Sequence, residues 1–271
     1  SHKSINLPDR FIASYYIIIL LSSIGMFLMI SSNELITIYV GLELSAISLY
    51  TLSAIEKKEI SLEAGIKYLL IGATSSAILL YGISILYGIT NTTYIYKIAD
   101  YFKINHISGI EIFSIILVIS GLSFKLSSFP IYIWTPDVYQ GSPTSVTLFI
   151  STASKASAFI LLLRIFFNSL NSSITAIDLV SIISFLTMTI GNIMAIHQKN
   201  MKRFLAYSTI SQSGYMILGL LSDYHTASSV VFFYLFSYIF TNTLAFSIVI
   251  AIERISNSSE IKDYRGLSQK E

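Results

Sequence analysis

Cysteine is missing from all 271 residues, which excludes disulfides, thiolate metal centres and cysteine-ligated iron–sulfur clusters. Charge is nearly as scarce. Only 12% of positions are Asp, Glu, Lys or Arg, against about 25% in an average soluble domain. The net charge of +2 forms no dense basic patch, so no nucleic-acid partner is expected. The four histidines, His2, His106, His197 and His225, fall in expected loops or at helix ends, which argues against a haem held between membrane helices. The chain is expected to hold no metal, no cofactor and no electrons. Proline occurs four times, so each internal one is a marked interruption.

What fills the chain instead is apolar sequence, 54% of all positions, in runs long enough to cross a hydrocarbon core about 30 Å thick. The expected class is an all-α polytopic membrane protein with eight spans, at about 11–31, 34–54, 62–89, 109–135, 143–168, 175–197, 202–221 and 226–252. Asn33 is the expected N-cap of the second span, and Ser61 with Glu63 in SLEA has the form of a cap for the third. The polar stretch 90–108 suits a short interfacial helix or a plain loop. Eight spans put Lys57, Lys58, Lys199, Lys202, Arg203, Arg254 and both termini on one side, with Lys97, Lys103 and Arg164 on the other. The positive-inside rule then turns both termini toward the cytoplasm or matrix. Lys199, Lys202 and Arg203 read simply as topology determinants.

Four charges break this apolar pattern. Each costs about 2.5–3.5 kcal/mol at membrane depth on insertion scales, so a chain that keeps them has a use for them. Glu43 stands about 9 residues, roughly 14 Å, into its helix; it reads as a proton site whose charge a nearby cation controls, or as a packing group. Lys155 stands about 12 residues into its span by the same rise per residue. Burial favours the neutral amine of such a lysine. Lys125 lies in GLSFKLSSFPIYIW, where Pro130 breaks the helix just after it, and broken membrane helices are tolerated where they line polar cavities. Lys67, one and a half turns into its helix, either snorkels to the headgroups or lies near Glu43 and tunes it.

The segments GLELSAISLYTL, SLEAGIKYLLIGATSSAILLYG, GLSFKLSSFPIYIWTPDVYQGSPTSVTLFISTASKASAFILLLR and KRFLAYSTISQSGYMI resemble the antiporter-like subunit 2 family of NADH:quinone oxidoreductase, respiratory complex I, called subunit N in bacteria. TPDVYQGSP is the specific part, since sister antiporter-like subunits carry a histidine-containing sequence there. The resemblance implies proton transfer by Glu43, Lys67, Lys125 and Lys155 as part of an enzyme whose redox chemistry lies in other chains. It implies the other membrane-arm subunits and lipids as partners, and the mitochondrial inner membrane or a bacterial plasma membrane as the location. Tyr132 stands where bacterial members have histidine, which puts a relay role there in doubt.

In this family two inverted five-helix repeats each contain a broken helix. Residues 11–168 correspond to the first repeat and 169–252 to three helices of the second, between a segment 1–10 and a tail 253–271. The expectation is a fragment lacking N-terminal and C-terminal helices, with a separate chain supplying the rest. Two other readings stay open: a free-standing cation/proton antiporter subunit, and a structural remnant that conducts nothing.

Overall fold

The computed structural model describes residues 11–104, 109–167, 174–222, 224–256 and 258–264. Helices make up nearly all of it: α1 (Ile12–Ser31), α2 (Leu35–Ser53), α3 (Glu59–Thr90), α4 (Ile95–Ile104), α5 (Gly109–Leu126), α6 (Trp134–Gly141), α7 (Thr144–Phe149), α8 (Lys155–Ile165), α9 (Ile174–Ile196), α10 (Met201–Gly219) and α11 (Tyr224–Ser256). A π-helical turn, Ile150–Ser154, joins α7 to α8, and Ile261–Tyr264 forms a short 3₁₀ turn. This is an all-α polytopic membrane fold. Seven segments are long and apolar enough to cross a bilayer among the described residues: α1, α2, α3, α5, the run from α7 through α8, α9 and α11. The eighth expected span, α10, is a full helix but too polar to qualify. It is largely enclosed by other helices, with Ser211, Ser213 and Thr209 buried, and polar residues in membranes are accommodated where protein rather than lipid surrounds them.

Two backbone clasps hold the ends together. At one end Leu35 N–H donates to Thr93 O at 2.9 Å and Ile95 N–H to Asn33 O at 3.1 Å; at the other Met201 N–H donates to Ser259 O at 2.8 Å and Ile261 N–H to Lys199 O at 2.9 Å. Between them, α1 crosses α2 where two glycines meet. A Cβ on Gly25 would lie 2.6 Å from Ser45 N and 2.7 Å from Gly41 O, so only glycine allows that approach.

The expected caps form differently. Glu34, not Asn33, precedes α2, and it accepts the Thr37 and Thr93 hydroxyls at 2.6 and 3.0 Å; the Asn33 side chain instead accepts from Arg164 across the bundle. In SLEA, Ser61 donates to Ser53 O at 2.7 Å and α3 starts two residues earlier, after Lys58. In both places a tertiary contact outcompetes the local cap. The polar stretch after α3 does contain a short helix, α4, whose Ile95, Ile98 and Phe102 are buried.

Candidate functional site

The break expected after Lys125 is present, built by more than proline. Helix α5 stops at Leu126; Ser127 takes a left-handed conformation with φ 56°, its N–H donates to Phe124 O at 3.0 Å, and Ser128 N–H donates to Ser123 O at 2.9 Å. That double bond pattern is a Schellman motif, which satisfies carbonyls an ending helix leaves open. Trp134 Nε1 also donates to Phe124 O at 3.1 Å. The Phe129 N–H, beyond the end of the helix, donates to Thr187 Oγ1 on α9 at 3.0 Å. Trp134 is stacked on Tyr68 with ring centres 4.4 Å apart and lies 5.0 Å from Phe124. Lys125 therefore occupies the last turn of a rigidly ended helix, where carbonyl dipoles favour a cation.

The Lys125 side chain is buried at 4% exposure, and Nζ donates to Ser45 Oγ on α2 at 3.2 Å. Ser45 is two residues from Glu43, the acid whose charge acts on Lys125. One Glu43 carboxylate oxygen is buried with no hydrogen-bond partner. The two groups act on each other by charge without closing into a direct ion pair among the described residues.

Lys155 is more deeply enclosed, at 1% exposure. Its ammonium donates to Thr209 O at 2.8 Å and Ser213 Oγ at 2.9 Å, both on α10, and meets no carboxylate among the described ion pairs. The π-helical turn directly precedes it; such turns insert an extra residue into a helix and recur at functional positions. Helix α8 packs on both α5 and α1.

Lys67 does not join this group. Its ammonium pairs with Glu63 at 2.8 Å and with Asp137 at 2.9 Å, its side chain is 42% exposed, and Arg203 holds the other Asp137 oxygen at 2.7 Å. Of the two expected readings, the partly exposed side chain paired with Glu63 and Asp137 fits a position near the headgroups rather than one beside Glu43. Lys67 lies about two turns from the α3 start, where it meets Asp137 of α6, whereas Glu43 lies near the middle of α2. Lys67, Asp137 and Arg203 line a cavity of about 290 Å³. Burial pushes the Asp137 carboxyl up, but hydrogen bonds from Lys67 and Arg203 outweigh it and hold the group below the usual value.

Two buried charges, Lys202 and Glu111, and one half-buried charge, Arg203, were not singled out in the sequence. Lys202, read there as a topology determinant, is 8% exposed; its Nζ donates to Ser142 O at 3.0 Å and Thr144 Oγ1 at 3.4 Å and lies 3.8 Å from Glu253. Arg203 is tied to Asp137. Glu111 is buried in the first turn of α5, accepting from Tyr101 at 3.5 Å, where the helix N-terminus favours an acid. A Lys-Arg pair opening a helix looks like any membrane-flanking charge, so only the tertiary packing distinguishes Lys202. Of the histidines, His197 is exposed and its Nδ1 lies 3.2 Å from Ile193 O; His2 and His106 and the side chain of His225 lie outside the described residues, as do segment 1–10 and residues 265–271 of the tail.

Residues 32–271 match the transmembrane region of a family described as NADH:quinone oxidoreductase/Mrp antiporter. The chain is 42% identical over 260 residues to the NADH-quinone oxidoreductase subunit N of Desulforamulus reducens, covering 94% of this chain and 54% of that protein. It superposes on a chain of respiratory complex I from Thermus thermophilus with TM-score 0.80 and 34% identity, covering 95% of this chain and 55% of that one. A chain of an archaeal membrane-bound sulfane sulfur reductase gives TM-score 0.89 at 27% identity, with 98% and 54% covered. The chain spans about half the length of the curated relatives it matches.

Proposed function

The chain belongs to the NADH:quinone oxidoreductase/Mrp antiporter transmembrane family, and from that premise we propose that it is a proton-translocating antiporter-like unit of the complex I membrane arm, of the subunit 2 or N type. Glu43, Lys125 and Lys155 form its relay. The observation that carries this reading is Lys155: an amine enclosed by protein and held, among the described residues, by a carbonyl and a hydroxyl. Such a site tolerates both the neutral and the charged amine, because no carboxylate among the described ion pairs pins the charge. Lys125 is its counterpart beside Glu43, at a helix end that stays rigid while the charge state changes. Lys67 belongs to the partly exposed network around Asp137.

Residues 11–168 make up the first antiporter-like repeat and 169–252 part of the second, with the helices that relatives have beyond the matched region coming from further sequence or a separate chain. Other membrane-arm subunits are the partners, and the redox chemistry and its cofactors lie in other chains. The bacterial relatives favour a plasma membrane over a mitochondrial inner membrane. Their names also favour a quinone oxidoreductase over a free-standing cation/proton antiporter, and a buried Lys155 that meets no carboxylate among the described ion pairs argues against an inert remnant.

The test is pumping by the assembled complex in liposomes. Lys125→Met and Lys155→Met are each expected to lower proton pumping at least tenfold with assembly retained. Glu43→Gln should act nearly as strongly, since the amide keeps hydrogen bonding but takes no proton. Full pumping in both lysine variants refutes the relay.

A further inference from the structure

A lysine in the last turn of a helix ordinarily finds acceptors among the carbonyls which that turn leaves open. At the end of α5 two of these carbonyls are already taken. Ser123 O accepts Ser128 N–H at 2.9 Å and the Ser128 hydroxyl at 3.4 Å. Phe124 O accepts Ser127 N–H at 3.0 Å and the Trp134 indole N–H at 3.1 Å. A carbonyl oxygen has two lone pairs, so both oxygens are filled. Lys125 Nζ reaches across to Ser45 Oγ on α2 instead, at 3.2 Å. Ser45 gives its own hydrogen to Leu42 O at 2.8 Å, which leaves its oxygen free to accept from a charged amine.

Three of the four donors belong to the turn itself, and the fourth comes from across the break. Trp134 opens α6, the half-helix beyond Pro130, and an indole N–H can only donate. The ring is held against any other use. It is 2% exposed, lies flat on Tyr68 with centres 4.4 Å apart and sits 5.0 Å from Phe124. Tyr68 in turn meets Tyr50 edge-on at 4.8 Å. Tyr50 follows Glu43 on α2 by seven residues, about two turns, so one aromatic cluster ties the broken helix to the helix that bears the acid.

We propose that Trp134 is a positioning residue of the relay: its indole N–H closes the Phe124 carbonyl to the neighbouring lysine and so turns the Lys125 amine toward Ser45 and the helix of Glu43. This role rests on the relay reading above and adds the group that aims one of its lysines. The indole itself takes and gives no proton. Without its N–H, Phe124 O regains an open lone pair beside the ammonium, and the amine divides its time between its own helix end and α2. The distance from Lys125 to Glu43 then varies, and the charge of each group acts less on the other. The aromatic packing can stay intact while this happens, which separates aiming from folding.

The test removes the N–H and little else, in the assembled complex in liposomes. Benzothienylalanine in place of Trp134 keeps the fused ring on Tyr68 and carries sulfur where the N–H stood; Trp134→Phe is the simpler variant, and if it fails to assemble the isostere decides. The isostere is expected to slow pumping at least fivefold and to move its pH profile by at least half a unit, since that profile reports the groups that transfer protons. An unmoved profile overturns the proposal. Ser45→Ala removes the acceptor to which the amine is aimed, so the isostere added to Ser45→Ala should slow pumping by less than a further twofold, because both changes act through one contact. Losses that multiply in full assign the indole to packing and overturn it as well. Loss of pumping in Lys125→Met with a wild-type pH profile in the isostere sinks the positioning role alone, whereas intact pumping in Lys125→Met sinks the relay beneath it.

Discussion

Replacing Asp137 by Asn would leave Lys67 and Arg203 facing one another without the carboxylate they share at 2.9 and 2.7 Å. Fully exposed ion pairs are worth about 0–1 kcal/mol, and removing one partner of a buried pair costs about 3–5 kcal/mol. With side chains 30–42% exposed, this network lies between those limits. The cations also keep other partners: Arg203 has Gln140 at 3.0 Å and Gln198 at 3.3 Å, and Lys67 has Glu63 at 2.8 Å. The expected loss is therefore about 1–2 kcal/mol, toward the low end of those limits. The sole tryptophan, Trp134, stands one turn before Asp137 inside the aromatic cluster, so its fluorescence in lipid bicelles follows unfolding at the right place. The folded carboxyl is held below its ordinary value, so its contribution is present above the unfolded pKa of about 4 and fades as pH falls through the lower folded one. The gap between wild type and Asp137→Asn should thus be full at pH 7 and shrink below about pH 4. Combined with Arg203→Gln, the loss should fall short of additivity by about 1 kcal/mol. A loss under about 0.3 kcal/mol, or strict additivity, refutes the shared-carboxylate account.

Thr187→Val keeps the shape of the side chain but strands the Phe129 N–H, and should cost about 1–3 kcal/mol in the same unfolding assay. Ser127→Val, at a left-handed backbone position, should cost about 1–3 kcal/mol, whereas Ser127→Gly should be tolerated. Gly25→Val drives a side chain into the α2 backbone; a loss of about 1–3 kcal/mol or more is expected, and loosening of Ser45 should also appear as faster hydrogen exchange in α2.

The spans were legible because hydrocarbon thickness fixes their length, whatever the neighbours, and a helix lies in every one of the eight expected segments. Lys125 and Lys155 were legible for the same reason, since a deep lysine stands out against Leu and Ile. The break after Lys125 could be read from Pro130, though the work of ending the helix falls to Ser127, Trp134 and Thr187, of which Thr187 lies 58 residues away from the amide it satisfies. What could not be read were partnerships across the chain. Lys67 meets Asp137 seventy positions on, Asn33 meets Arg164 rather than a helix start, and Lys202 turns inward instead of toward headgroups. Each depends on which helices become neighbours, and apolar runs carry little information about that.

The π-helical turn from Ile150 to Ser154 has a consequence for how such a protein tolerates change in length. Removing one residue there, with the helix rewinding to ordinary α spacing, would leave the segments before and after it nearly in phase, because a π turn carries one more residue than an α turn through about the same rotation. A deletion elsewhere along α8 would instead turn everything beyond it by about 100°. In the first case the amine at Lys155 keeps its two acceptors on α10. The turn is the one place in this membrane helix where length can change by a residue while aim is kept.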